Sequence, residues 1–153
     1  LTRHGFERIY WLNGHGGNIA TITAAFSEIY HGVSFDRSGS NHPPLRCCLR
    51  NWWELPGVMD LCRRLFPVGE GSHATPSEVS VTWFGYPEAV KQVAMSPRIA
   101  PTGPILDADD YRRRFPDGRI GSDPSQASIE AGEKIVSAAV KAVIAEFKQF
   151  AAS

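Results

Sequence analysis

Neither sign of charge dominates this chain. Sixteen basic residues face sixteen acidic ones. Broad binding to nucleic acid or to an anionic membrane needs a basic excess, so both are excluded as the main function. No apolar run approaches the roughly 20 residues that span a bilayer. No signal-peptide pattern opens the sequence, and no internal repeat runs through it. Cysteine is scarce: Cys47, Cys48 and Cys62. An odd count with two adjacent members is no disulfide framework. Reduced thiols used as small apolar filler, in a cytoplasmic protein, are the expectation. An initiating methionine is also lacking. Leu1 to Gly5 reads as the last turn of a helix closed by Gly5, so a carboxyl-terminal part of a longer domain is expected.

What is present suits a single domain over residues 1–153, with 42% hydrophobic residues to build a core. Its organising stretch is Asn13-Gly14-His15-Gly16-Gly17-Asn18. An apolar run, Ile9 to Leu12, leads in, and an amphipathic run, Ile19 to Tyr30, leads out. A strand, a glycine-rich turn bearing one imidazole, and a helix is how an α/β protein displays a group at the carboxyl edge of its sheet.

Residues 8–13 read as a buried strand and the helix after it as ending at Gly32. Ser34 to Pro44 reads as loop, and Leu45 to Trp53 as a second strand. Pro56 suits the first turn of a short helix over Gly57 to Phe66. Thr75 and Pro76 suit N-cap and N1 of a further helix that Gly85 and Pro87 end. Ala100 to Gly121 reads as a long surface excursion with one helical turn near Asp109 to Arg113, where Arg112, Arg113 and Arg114 are solvated and locally paired. Asp123-Pro124 announces a closing helix over residues 128–150. The alternation argues for α/β layers around a mainly parallel sheet.

Of five histidines, His15 and His73 share a context: small neighbours and a helix to follow. His4, His31 and His42 read as solvent-facing. Glu78 falls at N3 of the helix after His73. An imidazole and a carboxylate meeting at a sheet edge suit a divalent metal such as Zn²⁺ or Mn²⁺, and a second imidazole can move protons. Other readings stand beside these. Thr75-x-x-Glu78 is a capping box, in which the carboxylate serves the backbone. His73 can be a satisfied loop histidine. The glycine turn can cradle an anion on its N–H groups without a metal. Of Trp52 and Trp53, one is expected in the core and the other as the wall of a pocket for a flat ligand.

Asn13 to Asn18, taken with His73-Ala74, Glu78-Val79-Ser80 and the ending Gly121-Ser122-Asp123-Pro124 through Glu133, resembles the creatininase (creatinine amidohydrolase) family over nearly the whole chain. The resemblance implies a three-layer α/β/α sandwich, incomplete here at its amino-terminal side. It implies a two-metal amidohydrolase that opens a cyclic or linear amide with a metal-activated water. Zn²⁺ or Mn²⁺ is the expected ion, with Fe²⁺ a third candidate. His15 and Glu78 become metal ligands and His73 the proton donor to the leaving nitrogen. Gly16, Gly17 and Trp53 are placed at the substrate, a small-molecule amide. Thr75 and Val79 depart from the glycine and threonine usual in the second segment. Some creatinine-hydrolysing members carry an aromatic and a glutamate where Gly16 and Gly17 stand, which weakens creatinine and strengthens another amide or formamide. The family's Glu-x-His segment does not occur, so the chain alone is expected to be inactive. The intact protein is expected to be a homo-oligomer. The rival from another class is a non-catalytic anion- or metabolite-binding domain built on the glycine turn.

Overall fold

The computed structural model describes residues 1–36 and 44–153. Its contacts fall into two compact units, Leu1–Pro56 with Lys141–Ser153, and Gly57–Val140. Among the described residues no helix is long and apolar enough to cross a membrane.

The first unit holds β1 (Arg8–Asn13), α1 (Ile19–Asp36), β2 (Arg46–Asn51) and the last turns of α5 (Ile129–Ala152). β1 and β2 pair in parallel, from Arg8 opposite Arg46 to Asn13 opposite Asn51. Side chains alternate across a strand, and that alternation sorts the layers. Ile9 and Trp11 line a groove with Ile22, Ala25, Phe26 and Ile29 of α1. Tyr10 points the other way, its ring 5.6 Å from both Phe147 and Phe150 of α5. Helices therefore cover both faces of the sheet within this unit. The Tyr10 hydroxyl donates to Glu146 at 3.3 Å, and Arg50 pairs with the same carboxylate at 2.8 Å. Burial, then the Glu146 charge, pushes the Tyr10 phenol up to about 12. On the outer edge of β2, the Cys47 N–H donates to the Tyr30 hydroxyl at 2.7 Å.

Gly5 closes a short 3-10 turn, Thr2–His4, in the left-handed conformation. Gly32 does not end α1, which runs on to Asp36. An interior glycine costs a helix only about 1 kcal/mol, too little by itself to stop α1. Ser34 to Asp36, expected in a loop, are therefore helical, and residues 37–43, with His42, lie outside the described residues. β2 stops at Asn51, and Trp52–Glu54 form a 3-10 turn.

The second unit holds α2 (Val58–Leu65), α3 (Pro76–Gly85), α4 (Ala108–Arg114) and the first part of α5. Its core gathers Val58, Cys62, Phe66, Phe115, Ile120 and Ile135. Pro56 is not at N1 of α2. Gly57 is the N-cap, with a positive φ that proline cannot take, so Pro56 precedes the helix. Thr75 and Pro76 begin α3 as expected, and Asp107 caps α4. Arg113 and Arg114 both pair with Asp110, while Arg112 reaches Asp109. The excursion from Ala100 to Gly121 is not all surface. Phe115 is core, and the Arg119 guanidinium is buried against Asp117 and the carbonyls of Pro97, Arg98 and Ser122. The guanidinium supplies donors to the Pro97 and Arg98 carbonyls and a second one to the Ser122 carbonyl, which also accepts the Ala100 N–H at 3.1 Å.

Cys47 and Cys48 are half-buried and Cys62 is buried, all as free thiols. Burial raises all three, Cys62 to about 11. Such thiols stay protonated and unreactive, as filler should.

Candidate functional site

In the first unit, β1 ends on Asn13, a polar residue driven into the interior and only 1% exposed. Its amide fills every bonding position it has. Nδ2 donates to the His15 carbonyl at 2.7 Å and to Asn51 Oδ1 at 2.8 Å. Oδ1 accepts from the His15 N–H and from Asn18 Nδ2, both at 3.2 Å. The turn is thus moulded around one buried side chain, which the sequence reading counted in the motif without giving it a task.

His15 sits at the tip with extended backbone and caps a 3-10 turn, Gly16–Asn18, that runs into α1. Its exposed imidazole folds back on its own turn, where Nδ1 accepts the Gly17 N–H at 3.0 Å. A Cβ at Gly17 would lie 3.0 Å from Nδ1, so the ring would have to give by a few tenths of an ångström. Gly16 faces open space. At the same end of the sheet, Asn51 donates to Glu54 at 2.7 Å. Trp53 is half-buried and meets Trp52 edge-on at 5.9 Å. Neither tryptophan is core, because the strand ends before them and the 3-10 turn leaves both partly in solvent.

In the second unit, His73 and Glu78 come together in one loop-to-helix segment. The His73 backbone pairs with Ile120 in an antiparallel bridge, and its carbonyl accepts the Ser122 hydroxyl at 2.6 Å. Ala74 takes a left-handed φ of 52°, which costs a non-glycine residue about 1 kcal/mol. The His73 ring lies edge-on to Tyr111, and its Nδ1 is buried with no partner among the described residues. His73 is therefore not the satisfied loop histidine that was the alternative.

Thr75 accepts the Glu78 N–H at 3.1 Å, which is half of a capping box. The other half is missing: the Glu78 carboxylate accepts no hydrogen bond among the described residues. Glu70 does that work instead. It accepts the Ser77 hydroxyl in a short bond and the Ser77 N–H at 3.4 Å, so it serves the first turn of α3. Sequence reasoning missed Glu70, since a lone glutamate between Gly69 and Gly71 carries no capping signature.

Burial, with a smaller push from the Glu78 charge, raises the Glu70 carboxyl despite the Ser77 bonds. A carboxyl raised on folding stabilises fully below its unfolded pKa, and that contribution is lost as pH rises through the folded value. Glu70→Gln removes this titration. The variant should lose less stability than the parent between pH 4 and pH 7, read from urea midpoints. Parallel pH profiles would refute it.

Imidazole and carboxylate are suitable donors for a divalent ion. However, no group of three or more His, Cys, Asp or Glu among the described residues is placed to hold one, and the His15 Nδ1 lone pair is already engaged. By itself, this donor set does not make a metal centre.

Parallel strands covered by helices on both faces, with a glycine turn at the carboxyl end of β1, define an α/β protein of the class that gathers its ligands at that edge. The family model described as creatinine amidohydrolase matches residues 1–147, and the chain belongs to the creatininase family. A tryptophan-to-alanine variant of creatininase superposes with a TM-score of 0.78 at 22% identity, over 98% of this chain and 59% of its own. A glutamate-to-glutamine variant complexed with creatine superposes with a TM-score of 0.77 at 23% identity, over 98% and 59%. Other solved creatininases are named as a manganese form and as a Zn-Zn type. The α/β fold is thus that of creatininases, and the chain spans under two thirds of their length. No curated protein sequence matches it.

Proposed function

We propose that the chain contributes part of the site of a metal-dependent amidohydrolase acting on a small cyclic or linear amide, creatinine-like or a formamide. The observation that carries this reading is Glu78. Its N–H is capped by Thr75 while its carboxylate accepts no hydrogen bond among the described residues, five positions after His73. A carboxylate meant only for capping would be bonded. The family match and the manganese and zinc forms of solved creatininases support a divalent ion, which supplies a Lewis acid and a water of lowered pKa when bound. His15, in the first unit, and Glu78, in the second, are each assigned as a metal ligand.

The rest follows from the chain's own residues. His73 has its Nδ1 buried, so Nε2 is the ring nitrogen able to meet a substrate and hand a proton to a leaving amine. Gly16, open on its Cβ side, lets a ligand approach the turn backbone, and the half-buried Trp53 offers a flat wall at the same sheet end. The two units are parts of one creatininase-like domain. A cytoplasmic location rests on the free thiols, and a homo-oligomer on the edges of the sheet, two-stranded among the described residues.

The anion-binding alternative gains from His15 being folded back on its turn. It loses because the Gly17 N–H, which an anion would need, is already given to His15.

The test is titration of the chain with ZnCl₂ by calorimetry, with creatinine and formamides as assay substrates. The expected result is weak zinc binding and no turnover by the chain alone. His15→Ala and Glu78→Gln should each weaken the binding by about tenfold or more. Binding unaffected by either substitution would sink the ligand assignment, and turnover by the isolated chain would sink its inactivity.

A further inference from the structure

A neutral imidazole carries one N–H and one lone pair. The Gly17 N–H reaches His15 Nδ1 at 3.0 Å, so the lone pair is there and the proton is on Nε2. Asn13 holds the backbone on both sides of this arrangement, bonding the His15 N–H and carbonyl together. Gly17 leaves just enough room, since a Cβ would stand 3.0 Å from Nδ1 and 3.1 Å from Cε1.

We infer that Gly17 sets the tautomer of His15 and so gates it as a ligand: the capped turn presents an Nε2–H donor, and a cation and the cap exclude each other. Ligation through Nδ1 requires the Gly17 N–H to leave. Ligation through Nε2 requires the proton to move from Nε2 to Nδ1, where it would face the Gly17 N–H donor to donor. In its capped state the outward atom of His15 instead suits an oxygen acceptor, such as an amide carbonyl or a carboxylate. The competition with a cation rests on the ligand reading above, whereas the tautomer stands without it.

The experiment is long-range ¹H–¹⁵N correlation of the imidazole nitrogens in the whole chain, metal-free and with ZnCl₂, for the parent and for Gly17→Ala. The metal-free parent should show the Nε2–H pattern at His15. Gly17→Ala should lose the fixed pattern and take zinc at His15 about fivefold more tightly, the worth of one neutral hydrogen bond. In the parent, zinc should shift the Gly17 amide together with the His15 nitrogens. An Nδ1–H pattern in the metal-free parent overturns the inference, and that measurement needs no variant. Zinc shifting His15 while the Gly17 amide stays put overturns the exclusion. Zinc moving no His15 nitrogen in either chain overturns the ligand reading and the gating with it, while the metal-free spectra still decide the tautomer.

Discussion

Replacing Gly132 by alanine should destabilise the second unit by about 3 kcal/mol or more. The reason is a backbone contact. A Cβ at Gly132 would stand 2.0 Å from the Ser80 carbonyl oxygen, 2.6 Å from its carbon and 2.8 Å from Phe84 Cβ. No side-chain rotation relieves a clash with backbone, so α5 and α3 would have to separate. They are tied where they touch. The fully buried Ser80 hydroxyl donates to the Pro76 carbonyl at 2.6 Å and accepts the Ser128 N–H at 3.1 Å, and separation breaks the second of these bonds. Because Glu78 is two residues from Ser80, the same displacement disturbs the candidate site. Gly32→Ala is the matched control, since its Cβ meets nothing within 4 Å and the residue is inside a helix. It should stabilise by about 0.5–1 kcal/mol. Urea midpoints decide both, and a Gly132→Ala protein within about 0.5 kcal/mol of the parent would refute the close-contact account.

These two glycines also show which parts of the fold are legible in a sequence. Local rules carried well for the strand into the glycine turn, although Trp11 and Leu12 are exposed where a buried strand was expected, for Thr75-Pro76 at the start of α3, and for Asp123 accepting the Ser125 N–H ahead of the last helix. Each is settled within a few residues of itself. Gly32 was read as a stop because glycine usually is one, yet nothing in the surroundings demanded a stop. Gly132 drew notice only as part of the family-like ending, and what fixes it is a helix some fifty positions away in sequence. Arg119 and Phe115 were assigned to the surface from a Pro- and Asp-rich setting, and their burial comes from carbonyls and core that only the fold brings near. The candidate site divides in the same way. His15, His73 and Glu78 were found from their segments. The folding back of His15, the unpaired Glu78 carboxylate and the substitution of Glu70 as helix cap are matters of side-chain direction, which spacing does not encode.

Asn13→Ala should cost about 3 kcal/mol, and Asn13→Asp should cost at least as much at neutral pH. Alanine leaves Asn51 Oδ1 without its donor in a buried position and frees both backbone groups of His15. An unsatisfied buried group costs about 1–3 kcal/mol, and the partly solvated His15 and Asn18 groups add less. Aspartate has the same shape but the wrong polarity. It keeps an acceptor for the His15 N–H and Asn18, and turns a second carboxylate oxygen on the His15 carbonyl and Asn51 Oδ1, acceptor against acceptor. Burial and those two oxygens raise the introduced carboxyl above its unfolded pKa of about 3.9. By linkage its folded form is best tolerated below that value and loses ground as pH rises. The aspartate variant should therefore recover part of its loss between pH 7 and pH 4.5, when each pH is referenced to the parent, whereas the alanine variant should not. An aspartate variant as stable as the parent at pH 7 would mean that Asn13 donates nothing the turn needs. Recovery in the aspartate variant alone would show that the turn presenting His15 is held by donation from Nδ2, which only an amide of this size can supply from that buried position.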